Sequence, residues 1–304
     1  MRAVTFHNIV SEPLDEFDRH LYRRHMTAFS RTIKHCREHY DILPLPVLLA
    51  RLDEGDPAPR ALAITFDDGF AGVYDFAFPV LSEAGVQAAI FLPTEPGARI
   101  SESRLLHFEI LEIAFRLSRA SVLDVACLGL GTVELGTARA RDMHRIKQVL
   151  HAVPAGTWEA AHGAILEQLR VSDDEITEYA ASWTKYRKLS ADQIGSLAKA
   201  GWTIGGHTRT HRPLSSLNET ELRAEIDGNF ADLGTLFGLR NPPFAYPYGS
   251  PELVGNMAPE LVRQSGFCCG LTTVAGDWEP ACDRFDLGRS SDSNLLVRAF
   301  AAGR

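Results

Sequence analysis

The run Ala61-Leu62-Ala63-Ile64-Thr65-Phe66 carries no charge and stops abruptly at Asp67-Asp68-Gly69. A continuous apolar segment of this length has no polar face to offer water. It suits a strand buried on both sides, as in a parallel sheet or barrel wrapped by helices. The next residues fit the same scheme. Asp75 to Ala84 reads as a helix closed by Gly85, and Val86 to Leu92 as the following strand. Together they make one β-α-β unit, whose crossover is expected to be right-handed.

The alternation resumes after residue 189. Ser190 with Gln193, and Asn218 with Glu221, have the spacing of reciprocal N-terminal caps, and they predict helices ending near Gly201 and Gly238. Strands are expected at Ala3 to Phe6, Trp202 to Gly206, Pro243 to Tyr246 and Phe267 to Thr272. Further helices are expected over His25 to Tyr40, Pro46 to Leu52 and 258–265. Repeated β-α units with polar residues at strand C-termini predict an α/β, barrel-like architecture. Residues 105–189 break the rhythm. Leu105 to Leu117, Arg139 to Leu150 and Trp158 to Leu169 read as helices, with a Gly-rich, strand-like stretch between the first two. We read the chain, 1–304, as one catalytic domain with 105–189 as a mostly helical insertion.

Composition narrows the function. The chain has 304 residues, a net charge of −8 and 45% hydrophobic residues. That balance argues against a nucleic-acid binder that relies on phosphate neutralisation. No apolar run is long enough to span a bilayer, and the start, Met1 to His7, shows no apolar secretory core, so a cytoplasmic location is expected. The five cysteines form no Cys-x-x-Cys pair, which predicts reduced thiols rather than a zinc ribbon or disulfide framework.

The chemistry concentrates at strand ends. His207-Thr208-Arg209-Thr210-His211 is an H-x-x-x-H pair, whose imidazoles would share one face on a helical turn. Two histidines plus one carboxylate make a catalytic metal set with an open position, and a second carboxylate beside it can take a proton from water. Asp67 and Asp68 offer those two carboxylates, pointing apart from the end of one strand.

Three segments now carry a specific resemblance. Thr65-Phe66-Asp67-Asp68-Gly69, His207 to His211, and Phe244-Ala245-Tyr246-Pro247-Tyr248-Gly249 resemble, in order, the three signature motifs of the polysaccharide deacetylase family, the NodB homology domain, in its Phe-Ala-Tyr-Pro-Tyr-Gly subgroup. The resemblance covers most of residues 60–290. It implies a distorted (β/α) barrel with an incomplete strand count, Asp68, His207 and His211 as ligands of a divalent metal, most often zinc, and Asp67 as general base. It also implies that the backbone N–H of Tyr248 helps hold the tetrahedral oxyanion. The implied substrates are N-acetylated amino sugars in glycans or glycoconjugates, which would release acetate.

Two departures stand out. Many members begin the third motif with an arginine paired to the base; here that position is Ala245, and Arg289 is the candidate substitute. The family's C-terminal histidine, the usual general acid, has no counterpart between Leu287 and Arg304. His7, ending the first strand, is the candidate replacement, whereas His25 and His107 read as surface or packing residues. Trp202 and Trp278 are candidates for stacking on a sugar ring, against the plainer reading of core or rim packing. Two other functions compete: an amidohydrolase for small amides or cyclic imides, and a catalytically silent glycan-binding protein, for which the altered third motif and missing histidine speak.

Overall fold

We describe the chain from a computed structural model, over residues 1–56, 58–153 and 156–291. Its centre is an eight-stranded sheet of short parallel strands: β1 (Arg2–Phe6), β2 (Asp41–Ile42), β3 (Ala61–Phe66), β4 (Ala89–Leu92), β5 (Thr203–Gly206), β6 (Phe244–Ala245), β7 (Gly270–Leu271) and β8 (Arg289–Ser291). The order around the sheet is β7-β6-β5-β4-β3-β1-β8, with β2 paired to the start of β3. A parallel bridge between Leu271 and Leu287, just ahead of β8, brings the two ends together into a nearly closed barrel. Every residue of β3 is buried, as its unbroken apolar run requires.

Because all strands run the same way, their C-terminal ends collect on one rim. Phe6 on β1 is in register with Phe66 on β3 and Phe66 with Ile90 on β4, so His7 and Asp67 leave the barrel side by side. Helices cover the outside. Both reciprocal caps form, Ser190 with Gln193 and Asn218 with Glu221, starting helices Ala191–Lys199 and Glu219–Phe237. The helix expected over Asp75 to Ala84 opens instead as a wider π-type turn, Val73–Ala77, before Phe78–Glu83. Pro79 has no N–H to donate to the Asp75 carbonyl, so the regular α ladder cannot run through this point.

Residues 105–186 build a second hydrophobic core of their own, including Phe115, Met143, Ile146, Ile165 and Tyr186. Helices His107–Leu117, Arg139–His151 and Trp158–Leu169 occur where the pattern places them. The strand-like stretch is an antiparallel hairpin, Val122–Asp124 with Thr132–Glu134. A helix at Asp173–Ala181 was not foreseen. Buried ion pairs tie this unit to the N-terminal segment: Arg23 donates to Asp18 at 2.9 Å and to Glu112 at 2.8 Å. Lys185 adds a 2.8 Å contact to Asp18.

Candidate active site

Asp67 and Asp68 follow β3 directly. Arg289, on β8, reaches across the rim with a bidentate grip on Asp67, 2.8 Å to Oδ1 and 2.7 Å to Oδ2. Its side chain is fully buried and also bonds Thr65 Oγ1 and the Thr272 carbonyl. Thr5 on β1 adds a 3.3 Å contact to Asp67 Oδ2. Burial pushes the Asp67 carboxyl up, but the guanidinium outweighs it and holds the group below its usual value, hence ionised. The arginine missing at Ala245 is thus supplied from another strand to the same carboxylate.

Asp68 turns away from Asp67 by a route that strand alternation does not describe. Its φ is +70°, in the left-handed region, and Gly69 follows at +67°. One carboxylate therefore faces Arg289 and the next faces two imidazoles. Asp68 Oδ1 lies 3.3 Å from His207 Nε2 and 3.0 Å from His211 Nε2.

The two histidines do not sit on a helical turn, contrary to the geometry suggested by their spacing. Residues 207–211 form a loop with positive φ at Thr208 (+63°) and His211 (+59°). Helix Glu219–Phe237 holds this loop in place of its own helical bonds. Asn229 accepts from the His207 N–H and donates to the Thr208 carbonyl. Glu225 accepts from the N–H groups of Arg209 and Thr210, and Asp232 pairs with Arg209. Gly206 is required here, because a Cβ would come within 2.3 Å of the Asn229 Oδ1.

The donor set fits a cation. His207 Nδ1 sits 2.7 Å from the Ala245 carbonyl, which can only accept, so the ring proton is on Nδ1 and the Nε2 lone pair faces Asp68. Asp68 Oδ1 is buried and has no hydrogen-bond partner. The three ligand atoms lie within 4.8 Å of one another. Lone pairs converging in a buried space repel unless a positive charge lies among them, and one carboxylate with two imidazoles is a suitable catalytic metal set. Burial alone would raise the Asp68 carboxyl, yet His211 and His207 hold it well below its usual value. Burial lowers His211. For His207 the neighbouring aspartates outweigh burial and raise it.

His7 is half-buried at the same rim, near enough for its charge to act on both Asp67 and Asp68. Its ring stacks on Tyr22 at 5.3 Å; Tyr22 is 59% exposed and itself in the left-handed region. Tyr248 is half-buried with φ +61°, its ring 4.9 Å from that of His211.

Among the other candidates, the reading of His107 needs correction. Trp202 is core: it packs on Phe66 and Phe78 and is 5% exposed. Trp278 is also core, its indole N–H bonded to the Gly288 carbonyl. Neither is open to a sugar. His25 is the N-cap of helix Met26–His39, accepting from the Thr27 N–H. His107, read as a surface or packing residue, reaches the site. Its Nε2 is 2.5 Å from the Tyr248 hydroxyl and its ring 5.8 Å from that of His211. Burial keeps the Tyr248 phenol protonated and the His107 imidazole neutral, so the phenol donates to the ring nitrogen. Phe108 covers His211 at 5.3 Å, and His151 lies on Tyr248 at 4.1 Å. The insertion therefore roofs the Asp68–His207–His211 cluster. Nothing in the local sequence of Leu105 to Leu117 distinguishes such a roof from a packing helix, because the contacts span more than a hundred residues.

Residues 156–267 match the family model described as polysaccharide deacetylase. No curated protein sequence matches the chain. Among solved structures it resembles the Streptococcus pyogenes deacetylase PplD, solved in complex with acetate, at 15% identity and a TM-score of 0.60, covering 98% of this chain and 96% of that one. IcaB from Ammonifex degensii is similar at 19% identity and 0.55, covering 99% and 97%. A de-N-acetylase from Aggregatibacter actinomycetemcomitans is similar at 11% and 0.54, covering 98% of each. The matched segment holds the second and third motifs but not Asp67 and Asp68. The fold carries those two to the same rim, 3.0 Å from His211 in the case of Asp68. The nearly closed parallel barrel is the fold shared with these structures, and within it residues 156–267 carry the match to the polysaccharide deacetylase family.

Proposed function

We propose that the protein is a metal-dependent N-deacetylase of an acetylated amino sugar, releasing acetate and leaving a free amine. The observation that carries this reading is the pairing of two differently used carboxylates: Asp68 facing two imidazoles and Asp67 held ionised by Arg289. A bound divalent cation, zinc in our reading, would supply Lewis acidity toward the acetamide carbonyl and make water more acidic. Asp68, His207 and His211 would hold it.

The remaining steps fall to the chain. Asp67 accepts the proton of the attacking water, an action its ionised state permits. The Tyr248 backbone N–H donates to the developing oxyanion. His7, beside Asp67, returns a proton to the departing amine. The Arg289 pairing answers the main point in favour of a silent glycan-binding protein, since the base keeps its partner despite Ala245.

Metal analysis and acetate release together test the reading. The purified protein is expected to retain about one equivalent of divalent metal and to release acetate from an N-acetylated sugar. Asp68→Ala is expected to cut metal affinity at least about tenfold, the scale seen even for outer partners of ligands. Unchanged metal content in Asp68→Ala would remove it from the ligand set.

The His107 contact to Tyr248 yields a second expectation. His107→Phe is expected to lower kcat about tenfold, equivalent to ~1.4 kcal/mol, with metal content intact. If the hydrogen bond is the cause, adding Tyr248→Phe gives no further loss, because both changes break the same bond. Fully additive losses would assign the two side chains separate roles.

A further inference from the structure

Lys147 and His151 stand four residues apart on helix Arg139–His151, so their side chains leave the same face. That face is buried and lies over the site. The His151 ring rests 4.1 Å from Tyr248 and 6.2 Å from His107, and Tyr248 in turn is 4.9 Å from His211. Lys147 is 8% exposed and His151 4%.

Both groups lack partners. Among the described residues Lys147 makes no side-chain hydrogen bond or ion pair, and the buried His151 Nε2 has no hydrogen bond. Glu112 and Asp68 are the carboxylates whose charge reaches Lys147. Glu112 is already engaged: its Oε1 receives Arg23, Arg116 and Tyr186. In this region the carboxylates Asp18 and Glu112, with Asp15 at the surface, are met by Arg23, Arg116 and Lys185, so the charge there is balanced without Lys147. Burial pushes the Lys147 ammonium down to about 8, which leaves it protonated at neutral pH. A largely buried cation without a partner is costly unless an anion meets it.

We propose that Lys147 and His151 form an anion subsite beside the metal-ligand residues, which takes a carboxylate or phosphate carried by the N-acetylated sugar. The substrate class is then an acidic amino-sugar derivative rather than a neutral glycan. The inference rests on the deacetylase reading above. The ammonium supplies charge and up to three donors, and a His151 Nε2–H supplies a fourth. A neutral sugar hydroxyl would not offset the cost of burying the cation, whereas an anion would. The insertion, which the family motifs do not include, is then the element that selects the substrate.

The test compares acetate release from N-acetylglucosamine, N-acetylmuramic acid and N-acetylglucosamine 1-phosphate, as a ratio of kcat/KM values for acidic over neutral sugar. The native protein is expected to favour one acidic substrate at least about tenfold, and which one identifies carboxylate or phosphate as the anion. Lys147→Met is expected to bring that ratio to about one, while Lys147→Arg retains most of it. A native ratio near one, or an unchanged ratio in Lys147→Met, overturns the subsite. If none of the three sugars yields acetate, the deacetylase reading fails. Calorimetric binding of glucuronate and glucose 1-phosphate then decides the subsite by itself. Binding by the native protein that weakens at least about tenfold in Lys147→Met supports it, and no binding of either anion, or equal binding, overturns it. Should Lys147→Met fail to fold, His151→Gln takes its place with the same expected loss.

Discussion

Replacing Asp67 with asparagine is expected to lower kcat about 10²–10⁴-fold, the usual contribution of a positioned general base, while bound metal stays at the native level. The two halves of this result belong together. Asparagine has nearly the shape of aspartate and can still accept one N–H from Arg289, so the rim should persist. It cannot accept a proton from water. Asp68, which faces His207 and His211, is a separate side chain on a separate path, so the ligand set is unaffected. Measuring acetate release and metal content on the same sample decides the matter. Full turnover in Asp67→Asn would refute the base assignment, and lost metal would mean that Asp67 is itself a ligand.

The second large effect concerns stability. Arg289→Met leaves Asp67 buried without its cation, and breaking a buried ion pair from one side costs about 3–5 kcal/mol. Arg289 also bonds Thr65 and the Thr272 carbonyl, so a single residue links β3, β8 and the segment after β7. Chemical denaturation should show the loss directly, and lysine should restore only part of it, because an ammonium cannot reproduce the planar two-pronged contact. The pH dependence has a definite sign. A carboxyl held below its ordinary value in the fold stabilises fully above its unfolded pKa, about 3.9. That contribution disappears as pH falls through the lower, folded value. The native protein should therefore lose stability into acid more steeply than Arg289→Met, whose Asp67 has already lost its partner. Parallel acid profiles would contradict this account.

The barrel was legible because its signals are local. The apolar run of β3 needs no distant partner to be read, and the two reciprocal caps mark their helices with residues three apart. The meeting of Asp67 and Asp68 with His207 and His211 was readable because the two pairs follow the ends of two strands, β3 and β5, and a parallel barrel gathers strand ends. The error over the histidine pair has a physical origin. A spacing of four is consistent with a helical turn, but here Asn229 and Glu225 hold the backbone in another shape, and neither lies near the motif in sequence. Arg289 could be named as a substitute for the arginine missing at Ala245, but its strand and its two-pronged contact could not. His107, Phe108 and His151 were missed as site residues for the same reason as the roof itself: their partners His211 and Tyr248 are remote along the chain. Trp202 and Trp278 follow the plainer reading of core packing, which could not be separated from stacking on a sugar because an indole beside a motif looks the same in sequence whether it faces solvent or core.

Among the described residues seven non-glycine residues have φ in the left-handed region, and four of them, Asp68, Thr208, His211 and Tyr248, lie in or around the Asp68–His207–His211 cluster. Each such backbone is held at an expense of about 1–3 kcal/mol, so this rim is a place where the polypeptide works against its own preferences. The barrel must therefore carry surplus stability simply to keep its chemistry assembled. A lineage freed from the need to turn over substrate would be expected to relax these four positions first, glycine or asparagine replacing them while the buried strands stayed as they are.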